Sequence, residues 1–213
     1  MNYNILKTEK QEYESLLKYY LPIEYIDIVV SLLLKHSVKF KIVKARKTKL
    51  GDFRTGMKND LPIITINENL NKYSFLITTL HEFAHLINWR INGNSVLPHG
   101  KEWKKIYSKL LIPIIKLKKL PLDIEHALEK GLNNIKASSC TDIHLSRVLM
   151  KYDENPNNEI PLEKINKNST FVLNGKTFLK GELRRTRYLC LEKKSNKKYL
   201  INRLIRVNEI KDE

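Results

Sequence analysis

Tyr73-Ser74-Phe75-Leu76-Ile77-Thr78-Thr79-Leu80-His81-Glu82-Phe83-Ala84-His85-Leu86-Ile87-Asn88-Trp89 is the stretch on which the reading of this chain turns. Its apolar residues recur at helical spacing and supply a broad surface. Asn71 or Ser74 suits the start of the helix, and Gly93, set between asparagines, suits its end. Residues four apart share one helix face, so the imidazoles of His81 and His85 project side by side. That spacing suits two nitrogen ligands of a zinc ion. Glu82 stands one residue along, where a carboxylate can handle the proton of a zinc-activated water. His99-Gly100 follows beyond a turn, and His99 as a third protein ligand leaves one position open, as a catalytic zinc site requires.

Spacing narrows the choice of hydrolase. A metzincin needs glycine at position 88 and histidine at position 91, where this chain has Asn88 and Ile91. A thermolysin-like site takes a downstream glutamate; Glu102 and Glu125 are available, but the loop leading to His99 makes the histidine the better third ligand. Tyr73, Tyr107 and Arg54 are the candidates for stabilising an oxyanion, with none preferred. His126 and His144 lack a metal-spaced partner and read as surface or packing histidines.

Outward from the motif, the first 35 residues read as helical, with Leu16, Leu17, Ile23, Ile26, Val30, Leu33 and Leu34 in step and Pro22 opening the second segment. Val38, Phe40 and Ile42 then alternate with lysines as in a strand with one wet face. Leu50 to Arg54 and Pro62 to Asn67 read as two more strands. The strand ending at Asn67 is expected above the motif helix, where it can pair with an extended substrate. Trp103, Ile106, Tyr107 and Leu110 mark a second helix that Pro113 should stop, and shorter helices are expected after Pro121 and from Asp142 to Tyr152. Residues 153–168, beginning Asp153-Glu154-Asn155-Pro156, are polar and read as a linker. Beyond it the pattern is β: Ser169 to Leu173 and Lys176 to Lys180 flank Asn174-Gly175, a hairpin signal, and Arg184 to Glu192 and Lys197 to Val207 read as further strands.

The chain carries 39 Lys and Arg against 23 Asp and Glu, a net charge of +16. Such a field attracts polyanions through phosphate neutralisation, so nucleic acid is the expected partner. No basic helix with exposed Trp or Leu is evident, and a membrane partner is not expected. Cys140 and Cys190 form no CxxC pair and nothing requires a disulfide between them. With no signal-peptide pattern and no apolar run of membrane-spanning length, the expectation is a cytoplasmic protein, nucleoid-associated if bacterial.

Leu61-Pro62-Ile63-Ile64-Thr65-Ile66-Asn67, Leu70-Asn71, Thr79 to His85 and His99-Gly100-Lys101-Glu102-Trp103 together resemble the SprT-like family. The resemblance covers roughly residues 20 to 112. It implies a peptidase-like domain with one zinc on His81, His85 and His99 and a catalytic Glu82. For the Spartan branch of that family it implies DNA-triggered proteolysis of proteins crosslinked to DNA. Many members carry a cysteine zinc ribbon after the protease domain, and this chain has none. In its place stand Lys180, Arg184, Arg185, Arg187, Lys193, Lys194, Lys197 and Lys198, interleaved with Phe178, Tyr188 and Tyr199, a combination suited to single-stranded nucleic acid.

The expected architecture is α+β: a zincin-like metallopeptidase domain over residues 1–152, the linker 153–168, and a small basic β-barrel-like region over 169–213. The expected activity is zinc-dependent cleavage of DNA-associated or DNA-crosslinked proteins. Two readings compete with it. One is a non-proteolytic nucleic-acid-binding or transcription-associated factor that keeps the zinc site. The other is a zinc peptidase with unrelated substrates.

Overall fold

Helical periodicity gives way to alternation and returns again within the first hundred residues, and the backbone follows it. The computed structural model describes residues 3–46, 48–56, 60–133, 142–155 and 157–210. Cys140 and Pro156, singled out above, lie outside the described residues. The chain divides into two units between Asp153 and Glu154.

The first unit opens with α1 (Tyr3–Leu17), a 3-10 turn (Ile23–Tyr25) entered from Pro22, and α2 (Ile26–Lys35). Three strands follow: β1 (Lys39–Val43), β2 (Gly51–Arg54) and β3 (Ile63–Asn67). Their order is β1-β3-β2, with β1 parallel and β2 antiparallel to β3. β3 is thus the central strand, paired on both sides, so it cannot receive an extended substrate as expected from sequence. The edges of this sheet are β1 and β2. Ile64 and Ile66 alternate onto one face of β3 and are fully buried with Phe75, Leu80 and Phe83 of the next helix.

Asn67 closes β3 and pins the β1–β2 connection. Its amide donates to the Lys49 carbonyl at 2.8 Å and to the Arg46 carbonyl at 3.3 Å, while Arg46 Nε donates back to its Oδ1 at 2.8 Å. Because Asn67 is buried, Asn67→Ala leaves these partners unsatisfied; unfolding in urea should show a loss of about 1–3 kcal/mol.

The motif helix is α3 (Lys72–Asn92). Asn71 is its cap, its Oδ1 accepting from the N–H groups of Tyr73 at 3.1 Å and Ser74 at 2.9 Å. Gly93, at φ 62, ends it. The helix is buried on most of its circumference, as expected of one at the centre of a layered core. α4 (Lys101–Lys116), α5 (Leu122–Asn133) and α6 (Ile143–Leu149) complete the unit, with Asp142 capping α6 and a 3-10 turn over Met150–Tyr152 after it. α4 does not stop at Pro113 but carries it inside. Ile114 and Ile115 are buried just beyond, and their packing outweighs the roughly 3 kcal/mol that proline costs a helix interior. Among the described residues no helix is long and apolar enough to cross a membrane.

The second unit is a six-stranded antiparallel sheet: β4 (Ile160–Pro161), β5 (Thr170–Leu173), β6 (Lys176–Arg184), β7 (Arg187–Glu192), β8 (Lys198–Asn202) and β9 (Arg206–Ile210), ordered β4-β9-β5-β6-β7-β8. The expected barrel-like closure is not what the pairing draws, since β4 and β8 end the ladder. The stretch 153–168, read as a linker, is largely built into this unit. β4 pairs with β9, and Leu162 and Ile165 are buried beside Phe171 and Phe178. Arg184 to Glu192 is not one strand either: Arg185, at φ 57, turns the chain between β6 and β7 without the glycine or asparagine that signals such a turn. Asn174-Gly175 does form its hairpin, both at positive φ.

Candidate metal centre

Four residues along α3 is one turn, and the turn brings His81 and His85 together with their Nε2 atoms 3.1 Å apart. The loop after α3 delivers the third imidazole. His99 Nε2 lies 3.0 Å from that of His85 and 3.2 Å from that of His81. His99 holds φ at 101, a left-handed backbone that costs a non-glycine residue roughly 1–3 kcal/mol. Gly100 then starts α4, which places Trp103 behind all three rings, its ring centroid 4.7, 5.2 and 4.8 Å from those of His81, His85 and His99. Tyr107 stacks on Trp103 at 4.9 Å and its ring also lies 5.9 Å from that of His81. These two aromatics belong to the buried core, and they are also the wall against which the three imidazoles rest.

The nitrogen triangle tests whether zinc fits. Zn–N bonds of about 2.0–2.1 Å in a tetrahedral shell set neighbouring nitrogens about 3.3 Å apart, close to the spacings found. Without a cation the triangle is frustrated. Each ring nitrogen of a neutral imidazole either donates or accepts, so among three at least one pair is alike and repels. A shared cation removes that conflict. Burial, then the neighbouring histidines, depress His81 to about 3, and burial and His99 depress His85 to about 4. His99 is lowered too, by burial and by Lys104. All three are neutral at pH 7, with lone pairs available to a metal.

The Glu82 side chain reaches β2. It is buried, and Phe53 donates its backbone N–H to the carboxyl group. Burial first, then the charge of Asp52, pushes its pKa up to about 8, opposed by Arg46 and Lys49. Positive charge at the histidine cluster would return it to the carboxylate form. β2 reaches this close because position 51 is glycine: a Cβ there would lie 2.7 Å from Glu82 Oε1 and from Thr78 Cγ2. Gly51 and the Phe53 N–H are functional neighbours that sequence reasoning missed; a glycine opening a strand was the one visible sign.

A model of the SprT-like family matches residues 27–126. That segment is a SprT-like domain. The match runs from α2 into α5 and so contains the sheet, both histidines of α3, His99 and Trp103. It supports a metallopeptidase-type domain. Searches of curated proteins and of solved structures found no match.

Of the oxyanion candidates, Tyr107 lies against the cluster. Its ring is 5.9 Å from that of His81, but its hydroxyl is buried and closed to a substrate carbonyl. Tyr73 packs against Tyr152 in the first turn of α3, about 12 Å of helix rise before His81. Arg54 is exposed and its Nε pairs with Asp52 at 2.6 Å. Glu125 belongs to an ion pair with Lys118, and Glu102, His126 and His144 are exposed; none joins the metal cluster.

In the second unit the basic residues do not form one patch. Lys180 is buried, its Nζ donating to the Ile165 carbonyl at 2.5 Å and lying 4.0 Å from the Tyr188 ring centroid. It is spent inside the unit, which corrects its assignment as a nucleic-acid contact and also covers one face of Tyr188. Arg184, Arg185 and Arg187 are exposed at the β6–β7 turn. Lys193 and Lys194 are exposed at the opposite end of β7, about 20 Å away along the strand.

The pKa shifts predict how the chelated protein responds to pH. His81, His85 and His99 bind fewer protons folded than unfolded below pH 6.5, so stability rises as pH climbs toward that value. Glu82 keeps a proton up to about 8 that the unfolded chain loses near 4.5, so stability falls again above 6.5. Thermal unfolding in chelator should therefore peak near pH 6.5, and Glu82→Gln should remove the alkaline decline. A decline that survives the substitution assigns it elsewhere.

Proposed function

We propose that the SprT-like domain is a zinc-dependent metallopeptidase of zincin-like design, acting on proteins associated with or crosslinked to DNA. The observation that carries the catalytic part is the pairing of three converging imidazoles with a buried glutamate one residue along. Zinc, when bound, supplies a Lewis acid that activates water at neutral pH and polarises a carbonyl. His81, His85 and His99 hold it as neutral ligands. Glu82 accepts a proton from the attacking water and delivers it to the departing amine as the C–N bond breaks. The Phe53 N–H and the β2 backbone fix the carboxyl group for that transfer. The free edge of β2, rather than β3, offers N–H and C=O groups to an extended peptide lying across the cluster. A zinc site kept only for structure would have no use for a carboxyl group buried at such cost beside it.

DNA as the setting of the reaction rests on the +16 charge. The test is cleavage of a protein crosslinked to single-stranded DNA, with the same protein uncrosslinked as control and zinc content measured in parallel. One zinc per chain and preferential cleavage of the crosslinked form are expected. Equal cleavage of both forms would overturn the DNA-linked substrate and leave the peptidase. No cleavage at full zinc content would overturn the peptidase itself.

A further inference from the structure

We propose that the outward face of α4 is a nucleic-acid track, a row of lysines that begins beside the metal centre and contacts successive phosphates. Lys101, Lys105, Lys109 and Lys116 are all exposed. At 100° per residue they fall within an arc of about 80°, opposite the buried side formed by Trp103, Tyr107, Leu111 and Ile114. They extend over about 22 Å of helix, with steps of about 6 Å between the first three. The only acidic residue of α4 is Glu102, in its first turn. Among the described residues none of the four lysines is engaged in an ion pair or hydrogen bond, in contrast to Lys118, whose ammonium is held by Glu125 and Glu129.

Four unpaired ammonium groups in a line cost the fold repulsion and give it nothing in return within this unit. A polyanion with regularly spaced charges is the partner that such a row complements. An anionic membrane fits less well. Ile112 is the one apolar residue inside the arc, so the face has nothing broad to insert below lipid headgroups. The row starts two residues after His99, so a nucleic acid lying on it would hold an attached protein next to the cluster. The proposal builds on the reading of a peptidase that works on DNA-bound protein, but it is measured by binding alone.

The test is fluorescence anisotropy of labelled oligo-dT titrated with the full zinc-loaded chain, at salt concentrations from about 50 to 200 mM. In Lys101→Gln/Lys105→Gln/Lys109→Gln/Lys116→Gln, affinity at low salt should fall roughly 10- to 100-fold and the slope of log K against log salt should drop by about 3. Zinc content and circular dichroism equal to wild type establish that this surface variant is folded. Arg184→Gln/Arg185→Gln/Arg187→Gln is the control for the second unit and should bind more tightly than the lysine variant. The proposal is overturned if the lysine variant keeps the wild-type affinity and slope, or if wild type fails to bind oligo-dT. It is equally overturned if phosphatidylserine vesicles, and not DNA, show the lysine-dependent binding. Glu82→Gln should bind oligo-dT as wild type does. Loss of cleavage with binding intact therefore separates a failure of the peptidase reading from a failure of this one.

Discussion

Glu82→Gln is expected to keep one zinc per chain and lose cleavage by about 10²- to 10⁴-fold, the usual worth of a positioned general base. The substitution is close to isosteric, which matters in a slot bounded by Thr78, Gly51 and the Phe53 N–H. It leaves the three histidines untouched, so metal content separates loss of the base from loss of the centre. Folding should not suffer. Burial and Asp52 already hold the carboxyl group neutral up to about pH 8 in the metal-free chain, and a neutral amide meets the same slot without the desolvation penalty of a charge. Thermal stability at pH 7 should therefore match or exceed wild type in chelator. Retention of cleavage within tenfold of wild type would rule Glu82 out as the proton carrier. Loss of zinc would instead make it part of the ligand frame.

What the sequence disclosed divides along physical lines. His81 and His85 were legible because one helical turn relates them, and the period of α3 is written in its own apolar residues. His99 was legible only through the turn that precedes it and the aromatic that follows. Gly51 and Phe53 were not, because their contact with Glu82 crosses from strand to helix over some thirty residues, and no local period records it. Lys180 was misplaced although the pattern held the answer. Period two along β6 sets it on the face of Phe178, toward the interior, where its ammonium found a carbonyl and an aromatic ring. Pro113 misled for the opposite reason, since a local rule was overruled by the burial of Ile114 and Ile115. In residues 153–168 the apolar Ile160, Leu162 and Ile165 were diluted by polar neighbours, and only pairing with β9 reveals them as part of a core.

Gly51→Ala should be nearly as damaging to cleavage as the loss of the base, about 10²-fold, while sparing zinc. The glycine is needed for proximity rather than for an unusual backbone angle. A methyl group at this position would stand 2.7 Å from Glu82 Oε1 and Thr78 Cγ2, and 2.8 Å from Glu82 Cγ, all inside van der Waals contact. Three atoms belonging to two side chains leave the methyl no single side chain to displace. Either the carboxyl group swings away or β2 lifts from α3. The first breaks the hydrogen bond from the Phe53 N–H and moves the base, and a misplacement of about 1 Å is enough for a 10²-fold loss. The second shifts Ile64 and Ile66 through the β2–β3 ladder and should cost about 1–3 kcal/mol of overpacking. The two outcomes are distinguishable. A variant of near wild-type stability with cleavage lost has a displaced Glu82. A variant that loses both in proportion has a lifted strand, and wild-type activity with wild-type stability would show that β2 does not position the base at all.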